Sequence, residues 1–101
     1  MKVYICSPYS GDTETNIRKA QQYCKQAIKE NHIPIAPHLY FPQFLDDEDV
    51  NERAFGMMLA KYLLLQCDEV WICGKKISKG MTEEIALAKK YDIPIKIKED
   101  L

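Results

Sequence analysis

Short apolar runs alternate along the chain with longer stretches in which apolar residues recur at helical spacing. The apolar runs are rich in β-branched and aromatic residues, as in strands buried on both faces of a sheet. They lie at residues 2–6, 32–36, 67–73 and 93–97. The alternation of strands and helices predicts a parallel sheet with helices on both faces and right-handed crossovers.

The predicted fold is a small α/β three-layer sandwich, flavodoxin-like or Rossmann-like, with about four parallel strands in the order 2-1-3-4. The whole chain, residues 1–101, is expected to form one domain, because this length supports a single core. Pro34 interrupts the second apolar run and indicates an edge strand. The acidic tail at residues 99–101 is expected to fray.

Three helices are predicted between the strands. The first is capped by Asp12 or Thr13 and ends near Asn31. Its predicted apolar face consists of Ile17, Ala20, Cys24, Ala27 and Ile28. The second covers residues 51–66 and is apolar on more than one face, which is typical of a buried helix. In so small a domain, one of these faces is expected to pack against another subunit, so we expect a homo-oligomer, most simply a two-fold dimer.

The amino-acid composition limits the classes of function that the protein can have. The net charge is −1 with basic residues scattered, so no basic stripe favours nucleic acid. No apolar run is long enough to span a membrane, and the N-terminal run turns polar too soon for a signal peptide. A cytoplasmic protein is expected. The four cysteines show neither C-x-x-C pairs nor zinc-ligand spacing, so free thiols are expected.

The third helix, which Ser78 is expected to cap, carries the strongest candidate for chemistry. Met81, Ile85 and Ala88 share its apolar face. Glu84 lies about 40° from the centre of this face, whereas Glu83 lies roughly 140° away and faces water. Side chains lean towards a helix's N-terminus, so Glu84 is expected to point at the loop after the third strand, where open α/β sheets bind ligands. The alternative is an ordinary first-turn acid that the helix dipole favours.

Two polar loops and one aromatic loop are further candidates. Ser7 to Gly11 follow the first strand without the G-x-G-x-x-G pattern of dinucleotide sites. Residues 37–51 form a long loop in which His38 lies near Tyr40, Phe41 and Phe44. These aromatics suit a nucleobase or sugar, or else they cover the sheet edge. The acidic run at residues 46–49 suggests either a metal site or acids at a helix start, and we favour the latter.

Three motifs together resemble the nucleoside 2-deoxyribosyltransferase-like superfamily. They are V-Y-I-C-S-P-Y at residues 3–9, C-D-E-V-W-I-C at 67–73 and G-M-T-E-E-I-A-L-A at 80–88. The last motif is the most specific and has Glu84 at the position of the family's nucleophile. The loop I-A-P-H-L-Y-F-P-Q-F-L-D-D at 35–47 is similar to a small uncharacterised phage and bacterial branch. Residues 76–81 depart from the family, because they lack its Asp and have Met81 in place of a hydroxyl residue.

The resemblance implies an enzyme of N-glycosidic bonds, a transferase or hydrolase of a small-molecule nucleoside or nucleotide, without a metal or other cofactor. Glu84 would attack the sugar, and His38 or a residue of the acidic loop would protonate the leaving base, unless His38 only anchors its loop. The candidate substrate-binding residues are Ser7, Tyr9, Tyr40, Asp68, Gly74, Ser78, Gly80 and Met81. Two other functions stay open, a nucleotide-binding module without catalysis and a plain oligomerising protein.

Overall fold

A computed structural model, which describes residues 1–98, has the predicted architecture. Four parallel strands form one sheet in the order β2-β1-β3-β4, so the predicted fold class and strand order are confirmed. The acidic tail expected to fray lies outside the described residues. The strands are β1 (Lys2–Cys6), β2 (Ile33–Ile35), β3 (Glu69–Cys73) and β4 (Ile95–Lys98). Pro34 lies in an edge strand, as expected from its missing N–H.

The helices are α1 (Thr13–Lys29), α2 (Val50–Leu64) and α3 (Lys79–Lys90). The two faces of the sheet bury separate clusters. On one face Val3 and Ile5 pack with Tyr23 of α1. On the other, Tyr4 and Cys6 pack with side chains from α2 and α3. Successive strand residues point to opposite faces, so β1 supplies both clusters and anchors the domain.

The apolar face predicted for α1 is wrong at one position. Ile28 is 61% exposed, whereas Ala20, Tyr23 and Ala27 are buried. Ile28 follows Ala27 by about 100° around the helix, which turns it away from the sheet. Asp12 is the cap, because its side chain accepts a hydrogen bond from the backbone N–H of Thr15 at 3.3 Å.

The long loop at residues 37–51 contains two 3-10 turns, Pro37–Leu39 and Phe41–Gln43. Asp49 at its end caps α2 by accepting hydrogen bonds from the N–H groups of Asn51 and Glu52. Within residues 1–98, no group of three His, Cys, Asp or Glu side chains is arranged to hold a metal ion. The cap that Asp49 makes fits the alternative favoured from the sequence, acids at a helix start.

Helix α2 differs most from its sequence-based interpretation. Of its own residues only Leu64 is buried, although the sequence predicts a helix buried nearly all round. Across the described part of the chain, no helix has both the length and the apolarity to cross a membrane. The four cysteines are free, and all except Cys24 are buried.

Gly56 lies in the interior of α2, where glycine destabilises a helix by about 1 kcal/mol relative to alanine. A Cβ at this position would lie 3.4 Å from Cδ1 of Leu45, an ordinary van der Waals contact. We therefore expect Gly56→Ala to raise the free energy of unfolding by about 0.5–1 kcal/mol, measured by urea denaturation. A lower stability would show instead that Leu45 cannot move to admit the methyl group.

Candidate functional site

A cavity of about 350 Å³ opens beside the carboxyl ends of β1 and β2. The loop after β1, the 3-10 segment after β2, the first turns of α2 and the start of α3 line it. In the strand order β2-β1-β3-β4, β2 lies on one side of β1, whereas β3 and β4 lie on the other side. Open α/β sheets bind ligands at such a topological switch point, here between β1 and β3. The volume falls within the range of small-molecule sites, roughly 300–1,000 Å³.

Glu84 lines this cavity, and both of its carboxylate oxygens are held from β1. The hydroxyl of Tyr4 donates a hydrogen bond to Oε2. The thiol of Cys6 lies 3.7 Å from Oε1 and donates a weaker one. Tyr4 and Cys6 are two residues apart on a strand, so their side chains emerge from the same face towards α3. The carboxylate therefore has a fixed orientation at the cavity wall.

Among Tyr4, Cys6 and Glu84, the carboxyl of Glu84 is the group most readily ionised. Burial raises the pKa of Glu84, and the hydrogen bonds from Tyr4 and Cys6 and the charge of Lys61 partly oppose it. Burial, with the nearby carboxylate, also raises the pKa of Tyr4 and that of the Cys6 thiol. Both stay protonated donors at neutral pH. Burial thus works against the ionised Glu84 that the sequence expects at a helix start.

A second hydrogen-bonded pair faces the same cavity. The buried Ser7 places its Oγ 2.9 Å from Nε2 of His38. Burial lowers the pKa of His38 to about 4, so the imidazole is neutral at pH 7. A neutral imidazole can donate one hydrogen bond and accept another, but it carries no extra proton to give to a leaving group. The hydrogen bond to Ser7 fits the second role that the sequence suggested for His38, an anchor of its loop, and protonation of the base by His38 stays a prediction.

The burial of His38 gives the stability a defined pH dependence. Because the folded pKa lies below the unfolded value, the unfolded chain takes up a proton first, and stability falls as pH drops from about 6.5 towards 4. We expect the wild type to lose about 1–2 kcal/mol more than His38→Gln between pH 6.5 and 5, measured by urea denaturation. Equal losses in the two proteins would contradict a neutral, buried imidazole.

Seven of the ten residues predicted for the site are brought together at the cavity. They are Ser7, Tyr9, His38, Ser78, Gly80, Met81 and Glu84. Ser78 caps α3 by accepting a hydrogen bond from the N–H of Met81 at 3.3 Å. Met81 itself is buried in the core cluster beneath the cavity. Apart from its chain neighbours and the nearby backbone of α3, no atom of the described residues lies within 4 Å of where a Cβ on Gly80 would stand, so the space beside Gly80 is open.

The other three predicted residues do not line the cavity. Asp68 precedes β3 and accepts a hydrogen bond from the N–H of Lys2 at 2.8 Å. It therefore lies at the amino ends of the strands, away from the cavity. Tyr40 is exposed and its ring packs against Phe41 and Phe44. Gly74, with φ of 92°, forms the turn that follows β3.

Sequence reasoning missed Tyr4, Cys6 and the α2 wall of the cavity. A usable signal existed for Tyr4, because a tyrosine buried in a central strand needs a partner for its hydroxyl. On α2, Arg53, Met57 and Ala60 line the cavity at helical spacing. Lys61 lines it too, with Nζ 4.0 Å from the exposed carboxylate of Glu83. Glu83 is exposed and does not line the cavity, as predicted.

Solved structures with a similar fold include two enzymes. The 2-deoxyribosyltransferase of Bacillus psychrosaccharolyticus has a TM-score of 0.75 at 16% identity, covering 98% of this chain and 72% of that chain. The 2-desoxiribosyltransferase of Leishmania mexicana has a TM-score of 0.67 at 13% identity, covering 97% of this chain and 63% of that chain. At these identities the likeness shows the fold, and the chemistry has to be argued from the cavity.

Sequence comparisons are less specific about activity. No curated protein matches the chain. A family model described as a domain of unknown function (DUF7768) matches residues 1–98, which is the whole part of the chain that the structure describes. Because this match spans nearly the full length, the chain belongs to the DUF7768 family.

Proposed function

We propose that this protein acts on the N-glycosidic bond of a nucleoside or nucleotide, as a transferase or hydrolase, with Glu84 as the nucleophile. The observation that carries the proposal is the carboxylate of Glu84 at the wall of the cavity, held in one orientation by Tyr4 and Cys6. Burying a carboxylate is unfavourable, and such groups are concentrated at functional sites. The fold shared with two deoxyribosyltransferases supports the same chemistry.

The geometry suggests different roles for the two carboxylate oxygens of Glu84. Oε2 accepts the hydrogen bond from Tyr4, whereas Oε1 has only the longer thiol contact. Oε1 is therefore the oxygen freer to attack C1′ of the sugar, while the base departs with the electrons of the broken bond. The Tyr4 hydroxyl would stabilise the carboxylate when a second base or water displaces it from the glycosyl ester.

The remaining predicted residues take binding roles in this proposal. Ser7 and Tyr9 offer hydroxyl groups to the sugar, and neutral His38 fixes the direction of the Ser7 hydroxyl. Ser78 and Gly80 border the cavity at the start of α3, where the space beside Gly80 is open. The departing base takes its proton from solvent or through Ser7, because an imidazolium at position 38 is unfavourable at neutral pH.

A second function, a nucleotide-binding module without catalysis, is favoured by a different observation. Arg53, Lys61 and Lys79 line the cavity and would attract a phosphorylated ligand, although Arg53 lies 4.0 Å from Asp47 and Lys61 lies 4.0 Å from Glu83. Within residues 1–98, Lys79 makes no ion pair with a carboxylate. A binding module, however, has no need for an oriented carboxylate, which repels phosphate. We therefore prefer the enzyme.

A turnover screen tests the proposal. The wild type, Glu84→Gln and Glu83→Gln would each be incubated with nucleosides, deoxynucleosides and their monophosphates, with and without a second free base. Chromatography would follow the free base and the exchanged nucleoside. Glu83→Gln is the matched control, because it removes the neighbouring charge from the exposed side of the same helix.

We expect product from the wild type and Glu83→Gln and at least about a thousandfold less from Glu84→Gln, as for the loss of a nucleophile. Equal product from all three proteins would remove Glu84 from the reaction. No product from any protein, together with similar ligand-induced increases in melting temperature for wild type and Glu84→Gln, would favour the binding module instead.

A further inference from the structure

Helix α2 carries a single charge within a long apolar run. Residues 54–65 contain Lys61 and no other charged residue. A charge in such a run is ordinary where it faces water and unfavourable where it is withdrawn from water without a partner. The side chain of Lys61 is 38% exposed, and it lines the candidate cavity together with Glu84. The proposed nucleophile therefore shares its cavity with an ammonium group.

The packing of α2 and α3 on the sheet directs Lys61 towards the start of α3. Leu64 of α2 and Met81 of α3 are both buried in the core cluster on this face. Lys61 is three residues before Leu64, on the same side of α2. Glu84 is three residues after Met81, on the same side of α3. The Nζ atom of Lys61 lies 4.0 Å from Oε2 of Glu83, the residue next to Glu84. The two helices thus bring a positive charge and the Glu84 carboxylate to the same part of the cavity wall.

Lys61 acts on Glu84 without binding it directly. Within residues 1–98 no ion pair joins Lys61 to Glu84, so the ammonium group leaves Oε1 of the carboxylate free to react. The contact with Glu83 is weak, because it is 4.0 Å long and both side chains are more than a third exposed. Glu84 is more enclosed, with Tyr4 and Cys6 as its hydrogen-bond donors. A charge has a larger effect on an enclosed carboxylate than on one that water screens.

The other ionisable groups around Glu84 do not supply a positive charge. On β1, burial raises the pKa of Tyr4 and that of Cys6, so both remain neutral donors. On α3, the neighbouring Glu83 carries the same charge as Glu84. Burial raises the pKa of Glu84, and the charge of Lys61 on α2 lowers it, whereas that of Glu83 raises it. Of the groups on these three elements, Lys61 is therefore the one whose charge favours the carboxylate.

The remaining ionisable groups of the cavity are less suited to this role. They are Tyr9, His38, Asp47, Glu52, Arg53 and Lys79. Arg53 and Lys79 are the cations among them. Arg53 lies 4.0 Å from Asp47, and Lys79 is exposed at the first residue of α3. Lys61 is thus the cation of the cavity best placed to act on Glu84.

We propose that Lys61 is a positioning residue of the site, whose positive charge keeps the carboxylate of Glu84 ionised for its attack on the sugar. The inference rests on the proposed function and deepens the role of Glu84 in it. In the attack, Oε1 forms a bond to C1′, the bond from C1′ to the base breaks, and the base keeps the electron pair. A protonated carboxyl is a poor nucleophile, so the fraction of ionised Glu84 limits this step. Lys61 contributes its charge and exchanges no proton.

A titration of Glu84 by carbon-13 NMR tests the inference without any substrate. The carboxyl signal of Glu84, assigned by its absence in Glu84→Gln, would be followed in the wild type, Lys61→Met and Lys61→Arg. Lys61→Met should move the titration midpoint upward by about 0.5–1 pH unit, because a nearby opposite charge favours the ionised form. Lys61→Arg keeps the charge and should titrate like the wild type. Lys79→Met is the matched control for the titration, since it removes an exposed charge from the same cavity, and it should move the midpoint much less.

The pH dependence of turnover connects this titration to the reaction. With a nucleoside that the wild type accepts, the acid limb of kcat/KM in Lys61→Met should move upward by the same amount, and activity should return at higher pH. Lys61→Arg should keep the wild-type profile.

Three results would overturn the inference. Lys61→Met could lower activity equally at every pH, as for a residue that only stabilises the fold. It could raise KM for monophosphates alone, as for a phosphate ligand. Lys61→Met and Lys79→Met could move the midpoint equally. Absence of turnover in the wild type would be a failure of the proposed function, whereas a midpoint that Lys61→Met leaves in place would be a failure of this inference alone.

Discussion

Glu84→Gln is expected to abolish base release and at the same time to make the protein more stable at pH 8. Gln keeps the shape of Glu and an oxygen that accepts the Tyr4 hydrogen bond, but it removes the buried negative charge. Burial raises the pKa of Glu84, so the ionised form is unfavourable in the folded state. A residue kept for chemistry at the expense of stability behaves in this way.

The sign of the effect follows from proton linkage. The folded state holds the Glu84 proton more tightly than the unfolded chain does, so unfolding free energy is lost as pH rises through the folded pKa. Gln has no proton to lose. We expect a gain of about 1 kcal/mol at pH 8, or ~4–8 °C in melting temperature for a domain of this size.

Thermal unfolding at pH 4 and pH 8 distinguishes this explanation from a general effect of the substitution. The gain should largely disappear at pH 4, where the wild-type carboxyl is mostly protonated in both states. Glu83→Gln should show a much smaller gain at pH 8, because Glu83 is exposed and its charge only slightly raises the pKa of Glu84. Destabilisation of Glu84→Gln at pH 8 would indicate that the carboxylate serves the fold rather than a reaction.

The position of Glu84 could be predicted because helical phase is a local property. Met81 and Ala88 fix which side of α3 faces the sheet, and Glu84 falls beside them. Likewise, the hydroxyl of Ser78 predicts a helix cap from the local sequence alone, without any tertiary contact. Features that depend on a few neighbouring residues are therefore recovered from the sequence.

Its hydrogen-bond partners could not be predicted, because they depend on long-range geometry. Tyr4 is 80 residues away from Glu84 in sequence. A strand buried on both faces shows no alternation to indicate which side chains face α3 and which face α1. Asp68 shows the same limit, because it is a predicted site residue that does not line the cavity. The motif that contains Asp68 predicted a substrate-binding residue. Its position before β3, however, puts Asp68 at the amino ends of the strands.

The exposed apolar side chains of α2 show how an accurate pattern led to an incomplete interpretation. The sequence predicts a helix that is apolar on more than one face, and the structure agrees. One face packs on the domain and another borders the cavity, which leaves Phe55, Met58 and Tyr62 exposed. Apolar periodicity identifies surfaces that need burial, but it does not say whether the same chain or a second copy covers them.

Tyr4→Phe is expected to lower turnover of the substrate roughly 10–100-fold near pH 6, because it removes a hydrogen bond to a charged group. The Tyr4 hydrogen bond lowers the pKa of Glu84, so without it that pKa rises further. The acid limb of the pH–rate profile should therefore move to higher pH, and part of the activity should return as pH increases. Tyr4 keeps its own proton, since its pKa is raised well above the ordinary value.

A double-mutant cycle separates this positioning role from simple packing. In thermal unfolding at pH 8, Tyr4→Phe should destabilise the wild type more than it destabilises Glu84→Gln, because only the former leaves a buried carboxylate without its strongest donor. Cys6→Ala is the comparison variant, since its contact to Glu84 is longer, and it should move the pH profile much less. An unchanged acid limb in Tyr4→Phe, with equal destabilisation in both backgrounds, would restrict Tyr4 to packing and leave the orientation of Glu84 to other contacts.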